Sequence, residues 1–212
     1  MSGPDATSFL HRLSTRDVFG AAPAVAFGNC FLTPKGRLID VVHQITLSEG
    51  RWLLTSSHDR PGKLKSWFEQ YLFSEQVLLH EYALDDSPET LSEKERIASC
   101  IPKFPNEINE DHNPFELGLG HWIDWNKGCY VGQEVISRLD TYDKVSHRLM
   151  AVACRKEDFE RLRTSSEITS MSDEHAPNAP IALGVFRKAD LTDGQFLITS
   201  SGVPVWVVSS AR

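Results

Sequence analysis

Cysteine is scarce and scattered in this sequence. Cys30, Cys100, Cys129 and Cys154 are the only four, and no two stand close enough for a CxxC pair. Neither a zinc ribbon nor a thioredoxin-type motif can be built from them. Long apolar runs are also missing: none approaches the roughly 18 to 20 residues that cross a bilayer. The first residues show no basic segment followed by an apolar one, so a secretory signal is not expected. These absences make a membrane partner unexpected, and free thiols in a reducing cytoplasm become the expected state. Positive charge is in deficit, with 22 Lys and Arg against 29 acids and a net charge of −7. A general nucleic-acid binder carries the opposite footprint, so no direct nucleic-acid contact is expected. A G-x-S-x-G nucleophile elbow is absent as well.

What is present is ordinary for a globular chain: 41% apolar and 24% charged residues over 212 positions. At about 150 residues per domain this is one large domain or two small ones. Residues 3–14 predict a short helix with Phe9, Leu10 and Leu13 on one face. Residues 24–33 predict a strand. Thr33-Pro34-Lys35-Gly36 is turn chemistry, and strands over 37–47 and 51–57 follow. Leu64, Trp67, Phe68, Tyr71 and Leu72 repeat with helical spacing. Residues 77–84 predict another strand. Ser87-Pro88 predicts the start of a helix that stops before Pro102, by a hydroxyl cap and a first-turn proline. Residues 102–113 read as a loop, and a helix is expected over 132–139. From residue 147 short β-like runs alternate with loops, and residues 165–180 read as a mobile, Ser- and Pro-rich segment. The fold class this predicts is α+β: helices on an antiparallel or mixed sheet over 1–145, then a small C-terminal β-barrel over 146–212.

The most unusual run is Lys127-Gly128-Cys129-Tyr130-Val131-Gly132-Gln133-Glu134, just ahead of the predicted helix. A helix N-terminus and a neighbouring lysine both favour a thiolate, which makes Cys129 the best candidate for a reactive or ligating sulfur. The competing reading is a small buried residue, since free cysteine is among the most buried types. Glu134 and Arg138 stand at i, i+4 and read as a surface ion pair. Trp122, Trp125 and Tyr130 have rings suited to a flat ligand, though such spacing more often serves packing. Gly118-Leu119-Gly120 is not a dinucleotide loop, because Ile123 stands where a third glycine belongs. Cys100, His112, His121 and Cys129 share one stretch but lack the close spacing of a zinc or cluster site, so no metal site is expected.

The run 127–134 resembles the K-G-C-[FY]-x-G-Q-E signature of YgfZ-type folate-binding proteins, in the superfamily of the glycine-cleavage T-protein. Gly3-Pro4-Asp5-Ala6 with Phe9-Leu10 is similar to that family's opening G-x-D-A-x-x-F-L. Leu13-Ser14-Thr15-Arg16-Asp17-Val18 resembles its L-x-T-x-D-V, and Leu32 to Arg37 its strand–turn with Lys-Gly-Arg. Ile101-Pro102, Glu107-Ile108 and Pro114 to Leu119 resemble the approach to the signature, and Ala182-Leu183-Gly184 the C-terminal barrel. The resemblance implies a tetrahydrofolate-binding accessory factor in iron–sulfur cluster assembly or repair, linked to tRNA modification only through an iron–sulfur client protein. It implies Cys129 as the functional thiol, with Lys127 favouring its thiolate. Glu110, in the context Glu110-Asp111-His112-Asn113-Pro114, would hold the pterin, and Gln133, Arg138 and Tyr130 would line the folate. Asp40 stands near the position of the T-protein's catalytic aspartate.

Three readings stay open at this point: an accessory factor rather than a classical enzyme, a folate-dependent aminomethyltransferase, and an interaction module that no longer holds folate. The third is suggested by length. Only residues 85–94 fill the place of a longer, ferredoxin-like middle segment in the family, so the chain reads as a short form. Cys100 also stands where the family often has glycine before Ile-Pro. The sequence is silent on oligomeric state.

Overall fold

A computed structural model describes residues 1–56, 62–82, 91–172, 181–192 and 195–211. The chain forms two compact units. The first comprises Met1–Asp86, Ile108–Pro114 and Gly120–Asp143, and the second Ser87–Glu107, Phe115–Leu119 and Lys144–Arg212.

In the first unit, helix α1 (Ala6–Leu13) buries Ala6, Phe9, Leu10 and Leu13, the i, i+3, i+4, i+7 stripe of an amphipathic helix. Strands β1 (Ala26–Leu32), β2 (Leu38–Ser48) and β3 (Arg51–Thr55) form an antiparallel meander in that order. Helix α2 (Lys63–Glu69) adds Leu64, Trp67 and Phe68 to the core. The Phe31 ring of β1 meets Phe68 at 5.0 Å and Trp67 at 5.7 Å, and Phe9 of α1 meets Phe68 at 5.9 Å. Each such buried ring contributes about 1.5 to 3 kcal/mol by leaving water, so one aromatic cluster joins helix, sheet and helix.

The predicted strand over 77–84 does not form within its described part, 77–82. Leu78 exchanges backbone hydrogen bonds with Ser2 alone, at 2.9 and 2.7 Å. A one-residue partner ends the ladder there.

Two glycines set the approach to the signature. Gly36 closes the turn after β1 at φ +70°, donating to the Thr33 carbonyl at 2.9 Å. Gly132 caps helix α4 (Gln133–Thr141) at φ +84°; a Cβ on it would stand 2.6 Å from the Thr33 carbonyl oxygen and 3.3 Å from the Gly36 Cα. The helix start therefore rests against the β1–β2 turn, and glycine is required both for the left-handed backbone and for the close approach.

The second unit carries a five-stranded antiparallel sheet in the order β5-β6-β4-β8-β7. Its strands are β4 (His147–Ala153), β5 (Ile168–Met171), β6 (Ile181–Arg187), β7 (Phe196–Ile198) and β8 (Pro204–Ser210). Among the described residues it is an open sheet rather than the expected closed barrel, since β5 and β7 are its two edges and do not pair. Strand β5 lies in the stretch read as mobile, and residues 173–180 of that stretch lie outside the described residues. One face packs Met150, Val152, Phe186 and Val205 against Phe159 and Leu162 of helix α5 (Phe159–Leu162).

Helix α3 (Glu93–Ala98) begins at Ser92, whose hydroxyl accepts from the Glu95 amide at 3.3 Å while the Glu95 carboxylate accepts from the Ser92 amide at 3.0 Å. This reciprocal box satisfies two otherwise orphaned donors. The start predicted at Ser87-Pro88 lies outside the described residues. The helix closes with Cys100 in the left-handed region at φ +53°, its amide on the Ile97 carbonyl and the Ile101 amide on the Arg96 carbonyl, each at 3.0 Å. That double bond pattern normally recruits glycine at the position Cys100 holds. Among the described residues no helix is long and apolar enough to cross a membrane.

Candidate functional site

All seven candidate residues fall in the first unit. The signature loop is fastened to α1 by Lys127. Its side chain is buried, and its ammonium donates to the carbonyls of His11 (2.5 Å), Ser14 (2.5 Å) and Arg16 (3.0 Å). An ammonium has three protons, and these three carbonyls occupy them. They sit at the C-terminal end of α1, where orphaned carbonyls attract a cation. Burial pulls the Lys127 ammonium down to about 8, against the raising influence of Asp17 and Asp124, so it is charged at neutral pH. Its hydrogen bonds hold backbone in place and leave none for a sulfur.

Cys129, two residues on, is exposed, whereas Cys30, Cys100 and Cys154 are buried. Burial pushes the Cys30 thiol up to about 12, a neutral group under ordinary conditions. Exposure thus separates one accessible sulfur from three interior ones, a distinction the spacing of the cysteines did not reveal.

Tyr130 turns the other way, into the interior. Its ring lies 5.2 Å from the Lys127 ammonium, and its hydroxyl is buried with no hydrogen-bond partner among the described residues. Burial raises the phenol above its ordinary range, and the neighbouring Cys30 adds to this. Cys30 also feels the charge of Asp40, so Tyr130, Cys30 and Asp40 share one electrostatic neighbourhood. Cys30 sits opposite Val41 in the β1–β2 register, next to Asp40 in the chain. Asp40 is buried on a strand whose neighbours Leu38, Ile39 and Val42 are buried too. Its carboxylate accepts from the Val41 amide at 2.8 Å and from the Ser56 hydroxyl in a short contact. A carboxylate is tolerated in an apolar strand only with such donors.

The loop that carries Glu110 is tied to the start of β2. The Leu38 amide donates to the His112 carbonyl at 2.9 Å, and Arg37 Nη1 donates to the Asp111 carbonyl at 2.6 Å. Glu110 is half exposed and forms an ion pair with Lys63 at 2.9 Å. Gln133 opens α4 and is partly exposed. Arg138 pairs with Glu134 at 2.8 Å on the outer face, both well exposed, as the i, i+4 spacing predicted. Cys30 thus lies within electrostatic reach of both Asp40 and Tyr130, the Glu110 loop is tied to the start of β2, and Cys129 and Arg138 are left at the surface.

Sequence reading missed a buried polar cluster in this unit. The Asn29 side-chain oxygen accepts from the Thr15 amide (3.1 Å), the Thr15 hydroxyl (3.1 Å) and the Arg16 amide (3.3 Å), and its amide donates to Gln44 at 2.7 Å. The Gln44 amide nitrogen and the Thr46 hydroxyl are buried without a partner among the described residues. Only the alternating burial of β2, which places Gln44 and Thr46 inward, offered a signal. Trp122 packs over β1: a Cβ on Gly28 would stand 2.0 Å from its ring. No group of three or more metal-ligating side chains occurs among the described residues.

No protein-family model matches the sequence. Among curated proteins it is 47% identical over 57 residues to the chloroplastic At1g60990 protein of Arabidopsis thaliana, named provisionally as a transferase; this covers 27% of the chain and 13% of that protein. It is 29% identical over 106 residues to the tRNA-modifying protein YgfZ of Aliivibrio fischeri, covering 49% of the chain and 29% of that protein. The matched stretches thus span less than a third of either relative's length. Among solved structures it superposes on the glycine cleavage system aminomethyltransferase T of Bartonella henselae with a TM-score of 0.71 at 13% identity, over 98% of the chain and 81% of that structure. The chain thus has the fold of the glycine-cleavage T-protein and is similar in sequence to a YgfZ protein over about half of its length.

Proposed function

We propose that the chain binds a reduced folate of the tetrahydrofolate class and serves as an accessory factor in iron–sulfur cluster assembly or repair, reaching tRNA only through an iron–sulfur client protein. The observation that carries the folate reading is the buried Tyr130 hydroxyl, without a partner among the described residues and one position beyond the signature cysteine. A buried hydroxyl in that state costs about 1 to 3 kcal/mol unless something else meets it. A flat ligand rich in nitrogen and oxygen fits such a group, and the Gln44 amide and Thr46 hydroxyl offer the same unmet capacity. Glu110 supplies a carboxylate for the amino-pyrimidine edge of a pterin, with Lys63 as the partner it would exchange or share. Gln133 and Arg138 provide polar contacts along α4. When bound, a reduced folate supplies the nitrogens that carry a one-carbon unit. Cys129 acts separately, as the exposed thiol offered to a client, while Lys127 holds its loop against α1.

Asp40 favours a second reading, an aminomethyl transferase. It is a buried carboxylate held in place by Ser56 and the Val41 amide, and a proton-handling group beside the one-carbon-bearing nitrogen needs that fixity.

Calorimetric titration with tetrahydrofolate tests both. Binding is expected in the native chain, weakened about tenfold or more in Glu110→Ala by loss of a charged hydrogen-bond partner, and retained in Cys129→Ala. Turnover of an aminomethyl donor that Asp40→Asn abolishes points to the transferase. No binding of any reduced folate overturns both readings and leaves the interaction module, which the shortened middle segment would then explain.

A further inference from the structure

The run Leu13 to Val18 leaves α1 and lies against the residues that lead into the signature. Leu13 and Val18 are buried in the core, and Ser14 and Thr15 between them are fully buried as well. Thr15 directs every polar atom it has to another segment. Its amide stands 3.1 Å from the Asn29 side-chain oxygen and 3.2 Å from the Cys30 carbonyl. Its carbonyl accepts from the Asp124 amide at 3.0 Å. Its hydroxyl accepts from the Cys30 amide at 3.1 Å and has one proton to give. The Trp122 carbonyl at 2.7 Å is the nearer acceptor for that proton, and the Asn29 oxygen at 3.1 Å the farther. One side chain thus joins the exit of α1, strand β1 and residues 122–124.

Two contacts run beside it. The Asp17 amide donates to the Asp124 carboxylate at 2.8 Å, and Arg16 Nη1 donates to the His121 carbonyl at 2.9 Å. Lys127 then closes the circuit on the carbonyls of His11, Ser14 and Arg16. Segments 11–17 and 121–127 are therefore fastened at both ends. Asn29 backs the arrangement from β1: its oxygen also accepts from the Arg16 amide at 3.3 Å, and its own amide donates to Gln44 at 2.7 Å. Ser14 and Arg16 flank Thr15, so whatever holds Thr15 also aims two of the three carbonyls that Lys127 grips.

We propose that Thr15, backed by Asn29, is the positioning residue of the signature loop, and that the run Leu13 to Val18 is the seat on which Lys127 sets it. The role belongs to the hydroxyl. Valine has the same shape and would leave the Cys30 amide and the Trp122 carbonyl without that partner in the interior, whereas serine keeps both bonds. The inference does not depend on the folate reading, and its test contains no folate, so either can fail alone.

Lys127 reports on the seat. Burial is the main influence pulling its ammonium down to about 8, against Asp17 and Asp124. A loosened seat admits water, relieves that burial and moves the titration up toward the ordinary 10.5.

The experiment compares the native full chain with Thr15→Val by NMR. It follows the Lys127 titration and the hydrogen exchange of the Gln133 amide, which closes the signature loop on the Tyr130 carbonyl at 3.2 Å. Amides of the β2–β3 ladder serve as the internal reference. In Thr15→Val the Lys127 titration should rise from about 8. The Gln133 amide should exchange about three- to tenfold faster, the size of one or two lost buried hydrogen bonds, while the ladder keeps its native rates. Thr15→Ser should hold both readouts at their native values. Arg16→Ala, at a partly exposed position, cuts the His121 contact and should quicken the same amide; it carries the test should Thr15→Val fail to fold. A native Lys127 titration and native Gln133 exchange in folded Thr15→Val overturn the proposal. Equal acceleration of Gln133 and the ladder overturns it too, because Thr15 would then stabilise the unit without placing the loop. So does a Thr15→Ser chain that behaves like Thr15→Val, or native Gln133 exchange in Arg16→Ala where that variant carries the test.

Discussion

The two units bury polar groups to opposite effect. In the second unit, Glu107 is fully buried and accepts from Arg96 (3.3 Å), the Lys103 amide (3.0 Å), Ser170 (2.7 Å) and Thr169 in a short contact. Arg96 in turn donates twice to Glu93, at 2.8 Å each, and to the Ile101 carbonyl at 2.5 Å. Ser165 completes a second small network with Thr199 at 3.0 Å and Ser201 at 2.6 Å. In the first unit the buried polar atoms are only partly met. All five unpartnered ones among the described residues lie there, on His11, Arg16, Gln44, Thr46 and Tyr130. Two of them still face a carboxylate: His11 Nδ1 has Asp17 at 3.3 Å and Arg16 Nε has Asp124 at 3.2 Å. Gln44, Thr46 and Tyr130 keep unused capacity. A saturated network fixes a fold, because every removal leaves something unpaired. An unsaturated one holds capacity that a ligand can use, at a standing cost to the free protein.

Substitutions can break this contrast. The largest effect is expected from Glu107→Ala, which takes the buried acceptor from the Lys103 amide, Ser170, Thr169 and one Arg96 N–H at once and should destabilise by about 3 to 5 kcal/mol, read as a lowered midpoint in urea. Tyr130→Phe should do the reverse. Removing a hydroxyl with nothing to bond should stabilise the free chain by about 1 kcal/mol while weakening tetrahydrofolate binding. Gain of stability with unchanged folate affinity would separate the open hydroxyl from the ligand. Cys100→Gly should stabilise the second unit by about 1 kcal/mol, because glycine adopts the left-handed backbone at φ +53° without a Cβ penalty. The weak contact of the Cys100 sulfur with the Ser209 hydroxyl at 3.4 Å is forfeited; thermal melts decide.

The smallest effect concerns pH. The Arg96 guanidinium, followed by Lys103, holds the Glu93 carboxyl down at about 2 against partial burial. A depressed carboxyl stabilises above its unfolded value, here the ordinary 4.5, and that contribution is lost as pH falls toward 2. Melting temperature should therefore drop more steeply between pH 4.5 and 2 in the native chain than in Glu93→Gln. Solvent access at Glu93 keeps the difference small.

Local rules explain what was legible. The stripe Phe9, Leu10, Leu13 predicted α1, and Leu64, Trp67, Phe68 predicted α2, since a period of 3.6 buries one face wherever the helix lies. The signature run indicated the glycine-capped start of α4 and the neighbourhood of Cys129. Long-range pairing was not legible. Residues 77–82 have strand-like composition, but a strand needs a partner along its length, and theirs is Ser2 alone. The β5 segment looked like a loop because it stands in a Ser-, Asp- and Pro-rich stretch; its ladder bonds with β6 hold it in the sheet.

The candidate site divides in the same way. Sequence alone determined which residue types were on hand: an isolated cysteine between two glycines, a lysine before it, an acid in a proline-bounded loop, and a partial similarity to a YgfZ protein. Tertiary structure decided what each can do. It turned Cys129 outward and Tyr130 inward, engaged Lys127 with three backbone carbonyls, and set His11 and Asp17 beside a loop more than a hundred residues away in the chain. The physical reason is that a side chain's chemistry is intrinsic, whereas its solvation and its neighbours belong to the packed whole.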